Sequence, residues 1–339
     1  MSGVTYVSRS ETLTDRIAFL QLVGPDLSAI EDRLNVEITS SVRTINSLSG
    51  YVLTAGGKRL RPAVVTLAAR TICDSPPMDR LITVAASVEL VHMATLVHDD
   101  VVDDTATRRG QPTANAVFGN GVSVLTGDFL LAKAMRLLAV DGDLRIIRTV
   151  SDITTEMSEG EVLEILATGD PEISLETYYE ILHKKTAAFV AGCCRCGAIL
   201  GEADDEANNG LTTYGHRLGM AFQIADDLLD YTGDPELTGK PVGSDLRDGR
   251  ATLPFLLALE SASATERKQL LRWFAVEDMS ESAMNEIVAI LHAKGALERT
   301  RQIAQQYIEE ANRALGKLPP SPARDCFFAL TQYVIERDR

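Results

Sequence analysis

The sequence predicts an all-α protein. Apolar residues recur with a period near 3.6 through most of the 339 residues, as they do on one face of a helix. Segments rich in Gly, Pro and Asp interrupt this pattern at intervals, and the sequence lacks alternating apolar and polar runs joined by hairpin turns. The pattern therefore argues against a parallel sheet or a β-sandwich.

The helical patterns follow one another along the whole chain. Residues 1–25 are a weakly patterned N-terminal segment, and Pro25 and Gly50 enclose the first clear helix. We expect one domain over residues 1–339, with its main irregular segment at residues 232–249. The predicted helices cover residues 26–48, 59–72, 78–104, 122–140, 144–166, 175–200, 208–231, 252–261, 266–276, 280–292, 296–315 and 322–337.

Composition limits the function. The chain has 33 basic and 48 acidic residues, a formal charge of −15, which argues against a general nucleic-acid-binding protein. Its five cysteines fit neither a disulfide framework nor a zinc motif, so we expect reduced thiols. We see no signal peptide, and no window reaches the ~20 uncharged apolar residues of a membrane span. These features predict a cytoplasmic protein.

Four carboxylates end the helix within residues 89–110, ELVHMATLVHDDVVDDTATRRG, and two arginines follow them. Asp99 and Asp103 are i,i+4 neighbours on one helix face, with Asp100 and Asp104 beside them. These side chains repel one another and lie at the negative end of the helix dipole, where anions are disfavoured. A cation is therefore expected there, although a single acidic helix end is most often solvated surface.

A second acidic set ends another apolar helix. It consists of Asp226, Asp227 and Asp230, and a Gly/Pro break follows it. Two such sets could chelate divalent ions through oxygen, and Mg²⁺ completes its octahedral coordination with water and substrate phosphates. The repetition predicts a site for Mg²⁺ and a phosphorylated substrate.

Six motifs, in this order, resemble those of the trans-type isoprenyl (polyprenyl) diphosphate synthases. They are GGKRLRP at 56–62, HDDVVDDTATRRG at 98–110, GD at 127–128, KT at 185–186, FQIADDLLD at 222–230 and GKPVGSDLRDGRATLP at 239–254. The resemblance covers roughly residues 50–254. It implies the isoprenoid-synthase fold, a large helical bundle around a central substrate cavity with both aspartate motifs at its mouth.

The resemblance implies a Mg²⁺-dependent head-to-tail condensation of isopentenyl diphosphate onto an allylic diphosphate, farnesyl or geranylgeranyl. An allylic carbocation forms, the double bond of isopentenyl diphosphate attacks it, and a proton leaves. The family usually employs three Mg²⁺ ions. The residues that match its metal ligands are Asp99, Asp100, Asp103, Asp226, Asp227 and Asp230.

The resemblance also assigns substrate contacts. Residues that match contacts to the allylic diphosphate or its developing cation are Arg108, Lys185, Thr186, Phe222, Gln223 and Lys240. Lys184 is the alternative to Lys185. Arg250 stands where many relatives have Lys, which leaves its diphosphate contact open.

Isopentenyl diphosphate needs a separate site because it carries a second diphosphate. The residues that match the family's pocket for it are Gly57, Lys58, Arg61, His92 and Arg109. Glycines before a helix start let backbone amides approach an anion, and the helix dipole favours negative charge there.

The helix before Asp99 bears on product length. Short-chain relatives carry an aromatic residue four or five positions before the first aspartate, whereas this chain has Thr95 and Ala94 there and Val91 one turn earlier. We therefore expect a product of about C40–C50, of the kind used for a quinone side chain, with Met135 and Leu138 as candidates for the tunnel floor. Alternatively, Ala94 and Thr95 only pack against a neighbouring helix. In that case a bulky side chain from another helix blocks the tunnel, and the product is shorter.

Two other functions are less well supported by the motifs. A terpene cyclase usually carries an Asn/Ser/Glu metal motif in place of the second aspartate set, and a non-catalytic partner subunit tends to lose aspartates. The resemblance implies a homodimer. The hydrophobic product could bring the protein to a membrane although no membrane-spanning segment is expected. The preferred primer and any need for a different partner chain stay open.

Overall fold

The computed structural model describes residues 9–54, 59–108, 111–233, 241–276 and 278–335, and these are overwhelmingly helical, so the prediction of an all-α fold is confirmed. Within them the strands are one antiparallel two-residue pair, β1 (Thr107–Arg108) and β2 (Gln111–Pro112). The helices are α1 Arg9–Glu37, α2 Arg43–Thr54, α3 Leu60–Ile72, α4 Met78–Val102, α5 Ala114–Phe118, α6 Asn120–Asp141, α7 Leu144–Ala167, α8 Leu175–Leu182, α9 Ala188–Leu200, α10 Asp205–Thr232, α11 Ser244–Arg247, α12 Leu253–Ser261, α13 Ala264–Trp273, α14 Glu281–Ala293, α15 Ala296–Leu315 and α16 Pro322–Ile335.

The predicted helix over residues 26–48 is wrong at both ends. α1 starts at Arg9 and passes through Pro25, where buried Val23 and the ion pair of Asp26 with Arg70 hold the segment in place. The chain then breaks before α2 because the Asn46 side chain bonds the backbone N–H and C=O of Ser40. Such local bonds compete with helical ones.

The predicted helix over residues 175–200 is interrupted by a π-helical turn, His183–Ala187, between α8 and α9. The π-turn packs closely against α7 at Gly160, where an added Cβ would lie 2.8 Å from the backbone nitrogen of Lys185. His183 Nδ1 lies 3.0 Å from His216 Nε2, so these two histidines pair with each other. π-turns inside α-helices are often found at functional sites.

α4 ends earlier than predicted. Its last residue is Val102, Asp103 is the C-cap, and Asp104 takes a left-handed backbone conformation with φ 48°. Asp tolerates this conformation better than most residues, and repulsion among the carboxylates opposes a further turn.

The chain divides into two compact units. Unit 1 comprises Met1–Ile146, Cys196–Asn208 and Leu318–Tyr333. α4 is its central helix and contacts α1, α2, α3, α5 and α6. Most α4 residues from Leu81 to Val97 are buried, which explains why this helix is apolar almost all round.

α4 is also the one described helix that is long and apolar enough to cross a membrane, judged by length and composition alone. Within its apolar window, 72% of the residues are buried inside the protein. Its apolar side chains therefore contact other helices of unit 1.

Unit 2 comprises Ile147–Arg195, Asn209–Lys317 and Val334–Arg339. α12 is its most buried helix: every residue from Leu253 to Leu259 is buried, and the helix contacts α8, α14 and α15. Side chains of α8, α10 and α12 share one apolar cluster. This cluster fixes the helix ends that carry the polar residues of the candidate site.

Glycine permits a close contact between α3 and the C-terminal part of α9 in unit 1. An alanine Cβ at Gly197 would lie 2.3 Å from the Val65 carbonyl oxygen. We expect Gly197→Ala to lower the free energy of unfolding by about 1–3 kcal/mol, because backbone must move. Thermal and urea unfolding followed by circular dichroism would measure this loss.

Gly50 is a matched control because it lies within α2 and an added Cβ there meets nothing within 4 Å. Gly50→Ala should stabilise the protein by roughly 0.5–1 kcal/mol through helix propensity. If Gly197→Ala unfolds like Gly50→Ala, the close approach of α9 to α3 is wrong.

Candidate active site

Unit 2 contains a cavity of about 560 Å³. The C-terminal half of α10, the end of α7, the π-turn and the segment around α11 form its walls. Predicted site residues that line it are Lys185, Gln223, Asp226, Asp227, Asp230 and Arg250. The structure thus brings the second aspartate set together with two cations and a side-chain amide.

Asp227 is the most enclosed carboxylate of this cavity, with 7% of the residue exposed. The Tyr178 hydroxyl donates to its Oδ2 at 2.5 Å, and the backbone N–H of Leu253, at the start of α12, also donates to it. Burial, followed by the nearby charge of Asp245, raises the pKa of Asp227 well above its usual range, and the two hydrogen bonds oppose this shift.

Asp230 is held by the N-terminus of α11. Its carboxylate accepts hydrogen bonds from the backbone N–H groups of Ser244 and Asp245 and from the Ser244 hydroxyl. Burial and the charge of Asp245 nevertheless raise the pKa of Asp230 to about 6. The donors to Asp227 and Asp230 are neutral groups, so they orient the carboxylates without contributing positive charge.

Lys185 points into the cavity, whereas Lys184 does not line it. The Lys185 ammonium contacts Glu164 and lies 3.0 Å from Glu161, and Lys184 pairs with Glu156 and Glu159 instead. Burial lowers the pKa of Lys185, but the two glutamates outweigh it and the pKa lies above its ordinary value. A diphosphate would therefore meet a cation held in place by α7.

Arg250 is fixed by acidic neighbours. Its guanidinium bonds Asp245 at 2.8 Å and Asp248 at 2.7 Å. Burial lowers its pKa and the Asp245 charge raises it, with a net rise. Arg250 thus offsets the Asp245 charge at the cavity edge, a role that the motif alone did not reveal.

In unit 1 the first aspartate set lies at the end of α4. Asp100 is 6% exposed and its Oδ1 accepts a 2.7 Å hydrogen bond from Arg108 Nε, while Asp99 is half-buried and Asp103 is exposed. A predicted metal ligand and a predicted diphosphate ligand are therefore paired with each other. β1 places Arg108 within reach of Asp100.

Arg61 and His92, both predicted for the isopentenyl diphosphate site, lie together, with Arg61 Nη1 2.9 Å from His92 Nε2. Beside them Arg59 pairs with buried Glu89 at 3.0 Å and with Glu31 at 2.8 Å. Burial raises the pKa of Glu89, and the Arg59 and Arg61 charges act against this rise. The pairing fixes the start of α3 next to α4.

Four predicted site residues lie outside the described residues. They are Gly57, Lys58, Arg109 and Lys240.

The GD motif has a structural explanation in unit 1. An added Cβ at Gly127 would lie 2.3 Å from His98 Nε2, so this position in α6 must be small to accept the imidazole. The same nitrogen lies 3.2 Å from the Val124 carbonyl oxygen and 3.4 Å from Asp128 Oδ1. His98 is thereby held against α6.

The residues expected to set product length lie on α4. Val91 is fully buried, Ala94 is 2% exposed, and the half-buried Thr95 hydroxyl donates to the His92 carbonyl oxygen at 2.9 Å. Of the floor candidates on α6, Leu138 is buried but Met135 is 38% exposed.

In the described part of the chain, no group of three or more His, Cys, Asp or Glu side chains is arranged so that it could hold a metal ion by itself. Mg²⁺ bound with a diphosphate does not require one, since it takes one or two protein carboxylates and fills its octahedron with water and phosphate oxygens. The hard oxygens of Asp226, Asp227 and Asp230, with burial that favours a compensating cation, fit such an ion.

Sequence patterns missed three contributors to the unit 2 cavity. Asp245 lies within a recognised motif and could have been noticed as a third carboxylate. Glu164 sits on α7, where helical periodicity alone does not separate it from other surface acids. Tyr178 belongs to none of the quoted motifs, and its bond to Asp227 depends on how α8 packs against α10.

A family model described as polyprenyl synthetase matches residues 42–291, which is well over half of the chain. The chain belongs to the polyprenyl synthetase family. Octaprenyl diphosphate synthase from Escherichia coli (strain K12) is 38% identical over 319 residues, 94% of this chain and 98% of that protein.

Solved structures agree with the assignment to the polyprenyl synthetase family. A decaprenyl diphosphate synthase from Rhodobacter capsulatus has a TM-score of 0.88 and 35% identity, covering 95% of this chain and 98% of that one. A polyprenyl synthase from Caulobacter crescentus CB15, complexed with calcium and isoprenyl diphosphate, has a TM-score of 0.87 and 34% identity with the same coverage. The polyprenyl synthetase fold therefore extends over nearly the whole chain.

The raised pKa of Asp227 predicts a pH-dependent stability. Because the folded-state pKa exceeds the unfolded one, the folded protein binds the proton more tightly, and this contribution to stability is lost as pH rises. We expect Asp227→Asn, without metal at pH 8, to unfold about 2 °C or more above the wild type. The difference should shrink as pH falls and Asp227 takes up its proton. Calorimetry in chelator would measure it, and a variant less stable than the wild type at pH 8 would contradict the account.

Proposed function

We propose that the chain is a trans-polyprenyl diphosphate synthase that condenses isopentenyl diphosphate head-to-tail onto farnesyl or geranylgeranyl diphosphate. The observation that carries this proposal is the unit 2 cavity, where the second aspartate set shares a space with Lys185 and Gln223. Carboxylates that can hold Mg²⁺ and a cation that can bind phosphate suit an allylic diphosphate.

The proposed Mg²⁺ ligands are Asp99, Asp100, Asp103, Asp226, Asp227 and Asp230, with three ions per active site. When bound, Mg²⁺ would offset the negative charge that develops on the leaving diphosphate. Both aspartate motifs would serve this reaction, which is why we propose one catalytic domain over residues 1–339.

Side chains of the protein would bind and orient the allylic substrate. Lys185, Arg108 and Lys240 would contact its diphosphate, and Gln223 would add a polar contact. The C–O bond to the diphosphate breaks, and the Thr186 hydroxyl would lie near the allylic carbon as its charge develops. Arg108 would exchange its bond to Asp100 for phosphate oxygens, since guanidinium binds phosphate in a bidentate manner.

Isopentenyl diphosphate would bind to Arg61 and His92, together with Gly57, Lys58 and Arg109. The 2.9 Å contact between Arg61 and His92 supports this grouping, because it places two nitrogen-bearing side chains at one point on α3 and α4. The double bond of this substrate attacks the allylic carbon. The departed diphosphate would accept the proton that is then lost, leaving a chain five carbons longer.

The proposed product is long, about C40–C50, and suited to a quinone side chain. Small or β-branched residues at Ala94, Thr95 and Val91 support this length, since none of them fills space as an aromatic would. The similarity to an octaprenyl and a decaprenyl diphosphate synthase also supports it.

We further propose a cytoplasmic homodimer. On α6 the exposed residues Leu125, Asp128, Ala132, Met135 and Ala139 recur at spacings of three and four, as in the seam of two packed helices. Leu125 is 67% exposed, which favours a second copy of this chain as its cover. A monomeric mass by light scattering would contradict this proposal.

Product analysis tests the proposed activity. Purified protein with Mg²⁺, isopentenyl diphosphate and farnesyl or geranylgeranyl diphosphate should yield long prenyl diphosphates, sized by chromatography after dephosphorylation. Asp99→Ala should reduce turnover by about 10²-fold or more while the melting temperature stays near that of the wild type. A cyclised hydrocarbon product would indicate a terpene cyclase. Absence of any product from the wild type would indicate a non-catalytic partner subunit.

Bulk on α4 should shorten the product. Thr95→Phe, and Ala94→Phe as a second variant, would place an aromatic ring where the growing chain is proposed to pass. We expect shorter products at comparable rates of the first condensation, measured with defined primers. Ile82→Phe is the matched control, because at roughly 100° per residue it lies about 140° around α4 from Thr95 and so on a different face. An unaltered length distribution in both variants would exclude this face from the tunnel wall.

A further inference from the structure

Tyr178 is a buried polar residue of the unit 2 cavity that none of the quoted motifs includes. It lies on α8, is 4% exposed, and its hydroxyl donates to Asp227 Oδ2 at 2.5 Å. The Leu253 N–H donates to the same carboxylate. Asp227 is therefore held from two elements, α8 and the N-terminus of α12.

The chemistry of this donor distinguishes it from the partner of the first aspartate set. Arg108 binds Asp100 with a full positive charge and so neutralises it. A tyrosine hydroxyl fixes the orientation of a carboxylate but leaves its negative charge for another cation. Hydrogen-bond partners of metal ligands act in this way, and losing one typically costs about 10- to 100-fold in metal affinity or activity.

The tyrosine ring is itself fixed. It packs in the apolar cluster of unit 2 and meets the Tyr179 ring edge-to-face, with centroids 5.2 Å apart. Tyr178 also precedes Lys185 by seven residues, and both side chains line the same cavity. One helical segment thus carries the donor to Asp227 and the cation expected to bind the diphosphate.

We propose that Tyr178 is a positioning residue that aims the Asp227 carboxylate at a divalent cation bound together with the substrate diphosphate. This inference rests on the proposed function. It assigns to α8 a role in the second aspartate site that the aspartate motif does not contain.

Tyr178→Phe tests the proposal because it removes the hydroxyl and keeps the ring. We expect the Mg²⁺ concentration for half-maximal condensation to rise about 10-fold or more, with the KM for isopentenyl diphosphate unchanged. Independently of turnover, calorimetry should show weaker binding of Mn²⁺ in the presence of inorganic pyrophosphate by a similar factor. Tyr179→Phe is the matched control, because it changes the neighbouring ring without touching the bond to Asp227, and it should behave like the wild type.

A second variant keeps the test independent of how Tyr178→Phe folds. Asp227→Glu retains the charge but moves the carboxylate away from the Tyr178 hydroxyl, so it should also lose Mn²⁺ affinity with pyrophosphate. In an Asp227→Asn background, adding Tyr178→Phe should change nothing further, since the tyrosine acts through Asp227.

The outcomes separate the two proposals. If the wild type makes prenyl products and either Tyr178→Phe or Asp227→Glu binds Mn²⁺ and pyrophosphate as tightly as the wild type, the positioning role is wrong and the proposed function stands. If the wild type makes no product under any primer, the proposed function fails.

Discussion

The burial of several carboxylates close together is the constraint around which the candidate site is built. Asp227 and Asp230 lie in a cavity beside Asp245, and burial raises the pKa of both. Removing ionised carboxylates from water costs free energy, and hydrogen bonds from neutral donors such as Tyr178 offset this cost only in part. Unit 2 is therefore arranged to gain stability when a cation enters, which is the physical basis of a site for a metal and a diphosphate.

The two aspartate sets meet this constraint in different ways. Asp100 in unit 1 has the internal cation Arg108, whereas Asp227 in unit 2 has hydroxyl and amide donors. An internal ion pair already offsets the charge of its carboxylate, whereas neutral donors orient a carboxylate and leave its charge to be offset by a bound cation. We infer that the second set is the more preorganised of the two.

Close backbone approaches position the cationic and histidine side chains. Gly160 on α7 lets the π-turn come near enough for Lys185 to pair with Glu161 and Glu164. Gly127 on α6 accepts the His98 imidazole in the same manner. In both cases a missing Cβ determines where a polar side chain lies, so these glycines contribute to the site through packing.

The sequence by itself determined the helical class, the family and most helix bounds, because apolar periodicity and the spacing of Asp, Arg and Lys are local properties; α15, for example, matches its predicted limits. Only the tertiary structure decided the π-turn, the passage of α1 through Pro25, the pairing of Arg108 with Asp100 and the bond from Tyr178 to Asp227. Arg108 and Asp100 are only 8 positions apart, and their pairing depends on the turn that follows α4. Most of these features depend on contacts between residues far apart in the chain, such as the 49 positions that separate Tyr178 from Asp227. No local pattern encodes such a distance, since packing alone brings those side chains together.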